Sequence, residues 1–179
     1  MSSLKANSAT ETTKAIVFDI AGHLLALPVS AVFKVIRSSM AICSDLGNRK
    51  LVHLEEQALP ILDLHQFLAR VQPHRQDDYQ NQFLSTQEQF LVLTHFRKGN
   101  LSAIPVDEPP SLIELPLSSI YTLPKSYKEK ISNLANHVAV CPYENSTINI
   151  MLLDLQQAVA SIGLNLSESE IYPVNLTNF

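Results

Sequence analysis

At 179 residues, 46% of them hydrophobic, the chain can bury one core or two small ones that share contacts. Its net charge of −4 and scattered Lys and Arg exclude general nucleic-acid binding, which relies on neutralising phosphates. No run approaches the ~18–20 apolar residues that cross a bilayer, and the polar N-terminus lacks the apolar segment of a secretory signal, so neither membrane insertion nor export is expected.

Residues 1–13 are polar and are expected to form a loose tail. Ile16, Phe18 and Ile20 then alternate with period two, as a half-buried strand does. Ala21-Gly22-His23 makes a turn and Leu25–Val29 returns, giving a hairpin. Val32, Val35 and Ile36 cluster next, either as core or as an exposed apolar patch. The mixed segment 38–49 is expected to be loop-rich. Leu51–Leu54 leads through Glu55-Glu56 into Ala58-Leu-Pro-Ile-Leu62, a buried strand end. Pro60 has no N–H, so the strand must leave its ladder there or run along an edge. Asp63 stands at an N-cap position with Gln66 three residues on, and Leu64, Phe67, Leu68 and Val71 form one apolar helical face.

Residues 72–89 are nearly all polar and too long for an ordinary turn; a mobile linker is expected. Strand character resumes at Phe90–Phe96, turns at Lys98-Gly99-Asn100, and returns through Leu101–Val106. Leu112, Ile113 and Leu115 suggest a short strand, Ser118–Leu123 a turn or short strand, and 125–134 a polar segment with helical potential. His137–Cys141 and Ile148–Leu153 form a last hairpin, and Asp154 caps a final helix that stops at Gly163. Residues 164–179 are expected to be a weakly ordered tail.

Two echoes run through this order. Ala26-Leu-Pro-Val29, Ala58-Leu-Pro-Ile61 and Ala103-Ile-Pro-Val106 share one strand end. Ile61-Leu-Asp-Leu-His-Gln66 and Leu152-Leu-Asp-Leu-Gln-Gln157 share a strand that runs into a capped helix. Many short strands and turns point to β-barrels, and the echoes point to two similar halves.

The sequence offers little catalytic chemistry. There is no glycine-rich phosphate loop and no Gly-x-Ser-x-Gly elbow. The histidines show no metal-ligand spacing, so neither a metal nor another cofactor is expected. An Asp63 that caps a helix has its carboxylate committed to backbone donors rather than to acid–base work. Glu55 and Glu56, adjacent on a strand, point to opposite faces, which suits a solvated turn or a charged contact surface. Cys43 and Cys141 sit among small or apolar neighbours and are expected to be reduced thiols in a cytoplasmic protein. A binding protein, not an enzyme, is the expectation.

In order and spacing, Phe18-x-Ile-x-Gly22, Leu25-Ala-Leu-Pro-Val29, Val32-x-x-Val-Ile36, Ala58-Leu-Pro-Ile-Leu-Asp-Leu64, Val106-Asp107, Leu123-Pro124 and Leu152-Leu-Asp-Leu155 resemble the CheW family of chemotaxis coupling proteins. The resemblance covers about residues 14–163. It implies a mainly β fold of two small five-stranded SH3-like barrels packed together, with a few short helices. The first barrel is expected over 14–71, with the C-terminal part returning to it, and the second over 90–140. It also implies a non-catalytic adaptor between a chemoreceptor's cytoplasmic helical tip and the regulatory domain of a CheA-type histidine kinase. A ring-like assembly with the kinase is compatible with that role. Positions matching Val32, Lys34, Val35, Ile36, Glu55, Glu56, Leu59 and Val106 are the implied partner contacts, while Pro60, Asp63 and Asp154 are architectural. The competing expectation is a small β-barrel module for a small ligand or short peptide.

The chain departs from the family pattern in three places. Glu55-Glu56 stands where Arg-Gly is common, Lys50 stands where Gly is expected, and the 72–89 segment is long. A reversed charge at a partner-facing position excludes partners matched to Arg. A dedicated receptor–kinase system, such as one for phototaxis or pilus-driven motility, is therefore expected.

Overall fold

The computed structural model describes residues 11–162 apart from 41, 47–48, 55–56, 72–89, 98–99 and 132–133. The 72–89 linker, the 164–179 tail, Gly163 and most of the N-terminal tail therefore lie outside the described residues. Strand β1 (Thr12–Ile20) takes in the last two residues of the expected tail, and pairs antiparallel with β2 (His23–Pro28). The two-residue turn between them carries positive φ at both Ala21 (56°) and Gly22 (78°). That combination matches the right-handed twist of the flanking strands. Asp19 Oδ1 holds the turn by accepting the Gly22 N–H at 2.9 Å.

Next come β3 (Val32–Arg37), β4 (Ile42–Leu46), β5 (Arg49–Leu54), β6 (Gln57–Pro60) and α1 (Leu64–Val71). The 38–49 segment is thus not loop-rich. A single 3₁₀ turn, Ser38–Met40, leads into β4, which pairs with β5 from Ile42↔His53 to Leu46↔Arg49. The second part of the chain holds β7 (Phe90–Arg97), β8 (Asn100–Val106), β9 (Ser111–Pro116), a 3₁₀ turn at Leu117–Ser119, β10 (Ile120–Thr122), α2 (Lys125–Lys130), β11 (Ala135–Tyr143), β12 (Ser146–Leu153) and α3 (Leu155–Ser161). Helix α2 covers only the first part of the expected 125–134 helix; its C-cap is Ile131, whose buried side chain joins the core.

The halves suggested by the echoes are real repeats, β1–β6–α1 and β7–β12–α3, but neither folds on itself. One sheet has the order β10-β11-β12-β2-β1-β9, and the other strands form β3-β7-β8 and β4-β5-β6. A parallel bridge, Ile61↔Ala103, joins the last two, and the Leu62 N–H donates to the Ala103 carbonyl at 2.8 Å. Each repeat has lent its first hairpin to the remainder of the other. The junctions correspond residue for residue: Leu152 lies opposite Ala26 in the parallel β12–β2 pair, as Ile61 lies opposite Ala103. Within each repeat one strand turns through a 3₁₀ corner, β3 into β4 and β9 into β10. Counted as one bent strand each, these give two five-stranded sets, in keeping with the SH3-like β fold. The division into 14–71 and 90–140 is replaced. Strands β3–β8 make one set, while β1–β2 and β9–β12 make the other, because each hairpin pairs across the repeats.

Period-two alternation then builds three cores. Ala15, Val17, Ala26, Leu115, Ala139, Ile150 and Leu152 fill one set. Ile36, Val52, Leu59, Ile61, Leu91, Leu93 and Ala103 fill the other. The alternate residues, Leu25 and Leu27, Leu62, Ile104, Val106 and Leu153, meet in a central core that also takes Leu68 of α1 and Leu155, Ala158 and Val159 of α3. The two sets are therefore welded by burial rather than merely touching.

Among the described residues the buried polar side chains form a matched pair. Thr94 and Ser102, both at 0% exposure, share a hydroxyl hydrogen bond of 2.9 Å across β7 and β8. Thr94→Val strands the Ser102 hydroxyl and is expected to cost about 2 kcal/mol. Adding Ser102→Ala should recover much of that loss, and chemical denaturation of the two variants checks it. Simple additivity would show that the hydroxyls do not satisfy each other.

Candidate partner-docking surface

Strand β3 is the outer strand of β3-β7-β8, and its ladder runs from Arg37↔Phe90 to Lys34↔Leu93 before slipping by one residue to Val32↔Thr94. The extra residue at the slip is Phe33. A bulge of this kind interrupts alternation and re-aims a side chain. Phe33 is consequently 56% exposed, with Val35 at 37% and Val29, just before the strand, at 39%. Lys34 is exposed between them. The Phe33 ring meets the exposed His95 ring edge to face, with centroids 5.5 Å apart and planes at 75°. Val32 is half-buried and packs against the central core, anchoring the strip. The result is an aromatic and aliphatic strip with one cation, on a strand whose outer edge is left without a ladder partner among the described residues.

The expected contact residues divide accordingly. Val32, Lys34 and Val35 share this strip. Ile36, Leu59 and Val106 do not: they are 5%, 5% and 0% exposed and belong to the cores. Alternation turns Ile36 inward from its exposed neighbour Val35, and Leu59 faces the same interior as Ile61. Val106 ends β8 within the central core. Their side chains hold β3, β6 and β8 in place through the cores. Glu55 and Glu56 lie outside the described residues. Phe33, Val29 and His95 were not anticipated; a phenylalanine beside a lysine in Val32–Arg37 was the available signal, and the bulge concealed it.

The architectural residues form a repeated device. Asp154 Oδ1 accepts the Gln156 and Gln157 N–H groups at 3.1 Å, while Oδ2 takes the Asn136 side chain at 3.0 Å. Asp63 Oδ1 accepts the Gln66 N–H at 3.0 Å, and Oδ2 takes the Lys50 ammonium at 3.0 Å. Lys50, odd as a replacement for Gly, thus supplies to the first capping aspartate what Asn136 supplies to the second. Pro60 is the last residue of β6, opposite Leu51; the Ile61 N–H just beyond it donates to the Lys50 carbonyl at 3.0 Å, so the missing N–H of Pro60 falls at a position that does not donate to β5.

The remaining titratable groups are dispersed. His65 pairs with Asp107 at 2.9 Å, tying α1 to the end of β8, and His53 bonds Ser44 at 2.7 Å across β5 and β4. His53 and His65 thus have separate partners. Partial burial and the Lys128 charge hold the His137 pKa below its usual value. Cys141 is a free, half-buried thiol, and the Cys43 side chain lies outside the described residues. Among the described residues no group of three or more His, Cys, Asp or Glu side chains is placed to hold a metal ion. Among them, too, no helix is long and apolar enough to cross a membrane.

The CheW-like domain model matches residues 7–162, a range that takes in every described residue. The chain belongs to the CheW-like domain family. The scaffolding protein TtCheW from Thermoanaerobacter tengcongensis aligns with a TM-score of 0.60 at 16% identity, covering 84% of this chain and 89% of that one. At this identity the likeness is one of fold. No curated protein sequence matched. The CheW-like boundaries enclose both repeats and both capping aspartates, so the exchanged-hairpin architecture lies within the family domain.

Proposed function

We propose that this CheW-like chain is a non-catalytic cytoplasmic adaptor. It couples the helical tip of a methyl-accepting chemoreceptor to the regulatory domain of a CheA-type histidine kinase. Family membership supports the adaptor role, and the single structural observation that supports a docking function is the exposed Phe33–Val35 strip. Exposed apolar side chains gathered on an outer strand favour a protein partner, and a few buried aromatic or aliphatic anchors carry most of the affinity of such contacts. Lys34 steers at the rim, and Glu55 and Glu56 are assigned to the same partner choice.

Val35→Arg should reduce capture of a co-expressed receptor signalling fragment or kinase at least tenfold, because it places a charge in the contact. The β-sheet circular dichroism and unfolding midpoint should stay as in the wild type, since Val35 is already partly in water. Undiminished capture of both partners by the folded variant would remove β3 from the proposed interface. Glu55→Arg, in the same assay, should change which of several receptors or kinases is preferred. An unaltered preference order would take Glu55 out of the proposal. A small ligand or short peptide bound in place of both proteins would favour the other reading, a small β-barrel binding module.

A further inference from the structure

The exchanged hairpins carry a consequence for how copies of the chain combine. The set β1–β2 with β9–β12 contains strands of both repeats, and so does β3–β8. Among the described residues the repeats are joined by strand pairing at fixed registers, β1 with β9, β2 with β12, β3 with β7 and Ile61 with Ala103, and by the His65–Asp107 hydrogen bond. The central core closes only when Leu25, Leu27 and Leu62 of one repeat meet Ile104, Val106 and Leu153 of the other. None of these contacts requires the two repeats to belong to one polypeptide. In sequence, the connection between α1 and β7 is the eighteen-residue polar stretch 72–89. A chain of that length spans at most about 60 Å.

We propose that two copies of this chain can trade repeats. In the exchanged dimer, β1–α1 of each copy completes both strand sets with β7–α3 of the other, so the partner is a second copy of the same chain and the contact surface is the whole inter-repeat junction. The closed monomer and the exchanged dimer contain the same strand pairs and the same buried core. They differ in which copy supplies each repeat, so the balance is set by protein concentration against the effective concentration the connection provides. For flexible tethers that concentration is of millimolar order. The monomer therefore dominates in dilute solution, and exchange follows unfolding or crowding of copies at an assembly. The dimer displays the β3 strip twice, which makes it bivalent.

The test uses the full chain with a protease recognition sequence inserted between Gln80 and Asn81 and an affinity tag at the N-terminus. After cleavage under native conditions the two pieces should stay together, eluting at the size of one chain and unfolding in one transition. Equal amounts of this cut protein and an untagged, nitrogen-15-labelled cut protein are then unfolded and refolded together. Capture on the tag should recover the second piece as an equal mixture of light and heavy forms. Pieces that separate, each with its own cooperative unfolding transition, would show that each repeat completes its own barrel. Pieces that separate and lose their β-structure would show that association depends on the tether. Either result overturns the proposal. Uncut tagged and heavy chains refolded together at about 1 mM should give a mixed dimer, and recovery of monomers alone would restrict the contacts to a single chain and overturn exchange between copies.

Discussion

Leu62→Ala is expected to destabilise the protein by about 4 kcal/mol, toward the upper end for a buried leucine. Leu62 is fully buried, and it sits where three parts of the structure converge. Its N–H is bonded to Ala103, its neighbour Ile61 makes the parallel bridge between sheets, and Asp63 next to it caps α1. Its side chain joins a central core made from both repeats and lined by helices α1 and α3. Backbone fixed on both sides limits how far that core can collapse around the missing atoms, and residual cavity volume is what raises the cost. Urea unfolding followed by circular dichroism should show a lower midpoint with an unchanged slope. Leu153→Ala, the same position in the second repeat, should cost nearly as much. Val35→Ala, on the exposed strip, should stay within about 0.5 kcal/mol. A loss below about 1 kcal/mol at Leu62 would mean the two strand sets are not joined through this core.

The local features of this fold were legible because local chemistry determines them. Asp63 and Asp154 cap helices wherever the strand before them goes, and Gly22 marks a hairpin turn in any context. The repeat itself was visible in Ala26-Leu-Pro-Val29 and Ala103-Ile-Pro-Val106. What the two halves did not reveal was their exchange. Equivalent strands carry nearly equivalent edges, so β2 could pair with β6 or with β12 on local grounds; the choice is made by packing across residues far apart in sequence. Strand β4 was missed for a related reason: Ile42–Leu46 alternates poorly, and its pairing with β5 supplies the order that its composition does not. At the candidate docking surface, the sequence did not show which side chains face outward. Leu59 and Val106 are among the implied contacts, but alternation sends both inward. Phe33 was hidden because a bulge, which is a property of the pairing and not of the residue, turns it outward.

Ala26→Leu and Ala103→Leu test the exchanged junctions most directly. Both alanines are fully buried, and both lie opposite the strand that precedes a capping aspartate, Leu152 in one case and Ile61 in the other. Small residues are required there because each small barrel interior is already filled. Ala26 is surrounded by Val17, Leu115, Ile150 and Leu152, and Ala103 by Val52, Leu91, Leu93 and Ile61. Three added carbons force off-rotamer neighbours or spread the parallel strands, at about 2 kcal/mol for each replacement. Because the two interiors share no residue, the effects should add, and the double variant should lose about 4 kcal/mol within roughly 0.5 kcal/mol of the sum. If the hairpins instead packed within their own repeats, Ala26 would face the interior that holds Ile61, and Ala103 the one that holds Leu152. The pairs Ala26→Leu with Ile61→Ala, and Ala103→Leu with Leu152→Ala, would then compensate. In the exchanged arrangement compensation belongs to the crossed pairs, Ala26→Leu with Leu152→Ala and Ala103→Leu with Ile61→Ala. Double-mutant cycles on these four pairs discriminate the two topologies, and stabilisation of the uncrossed pairs alone would refute the one described.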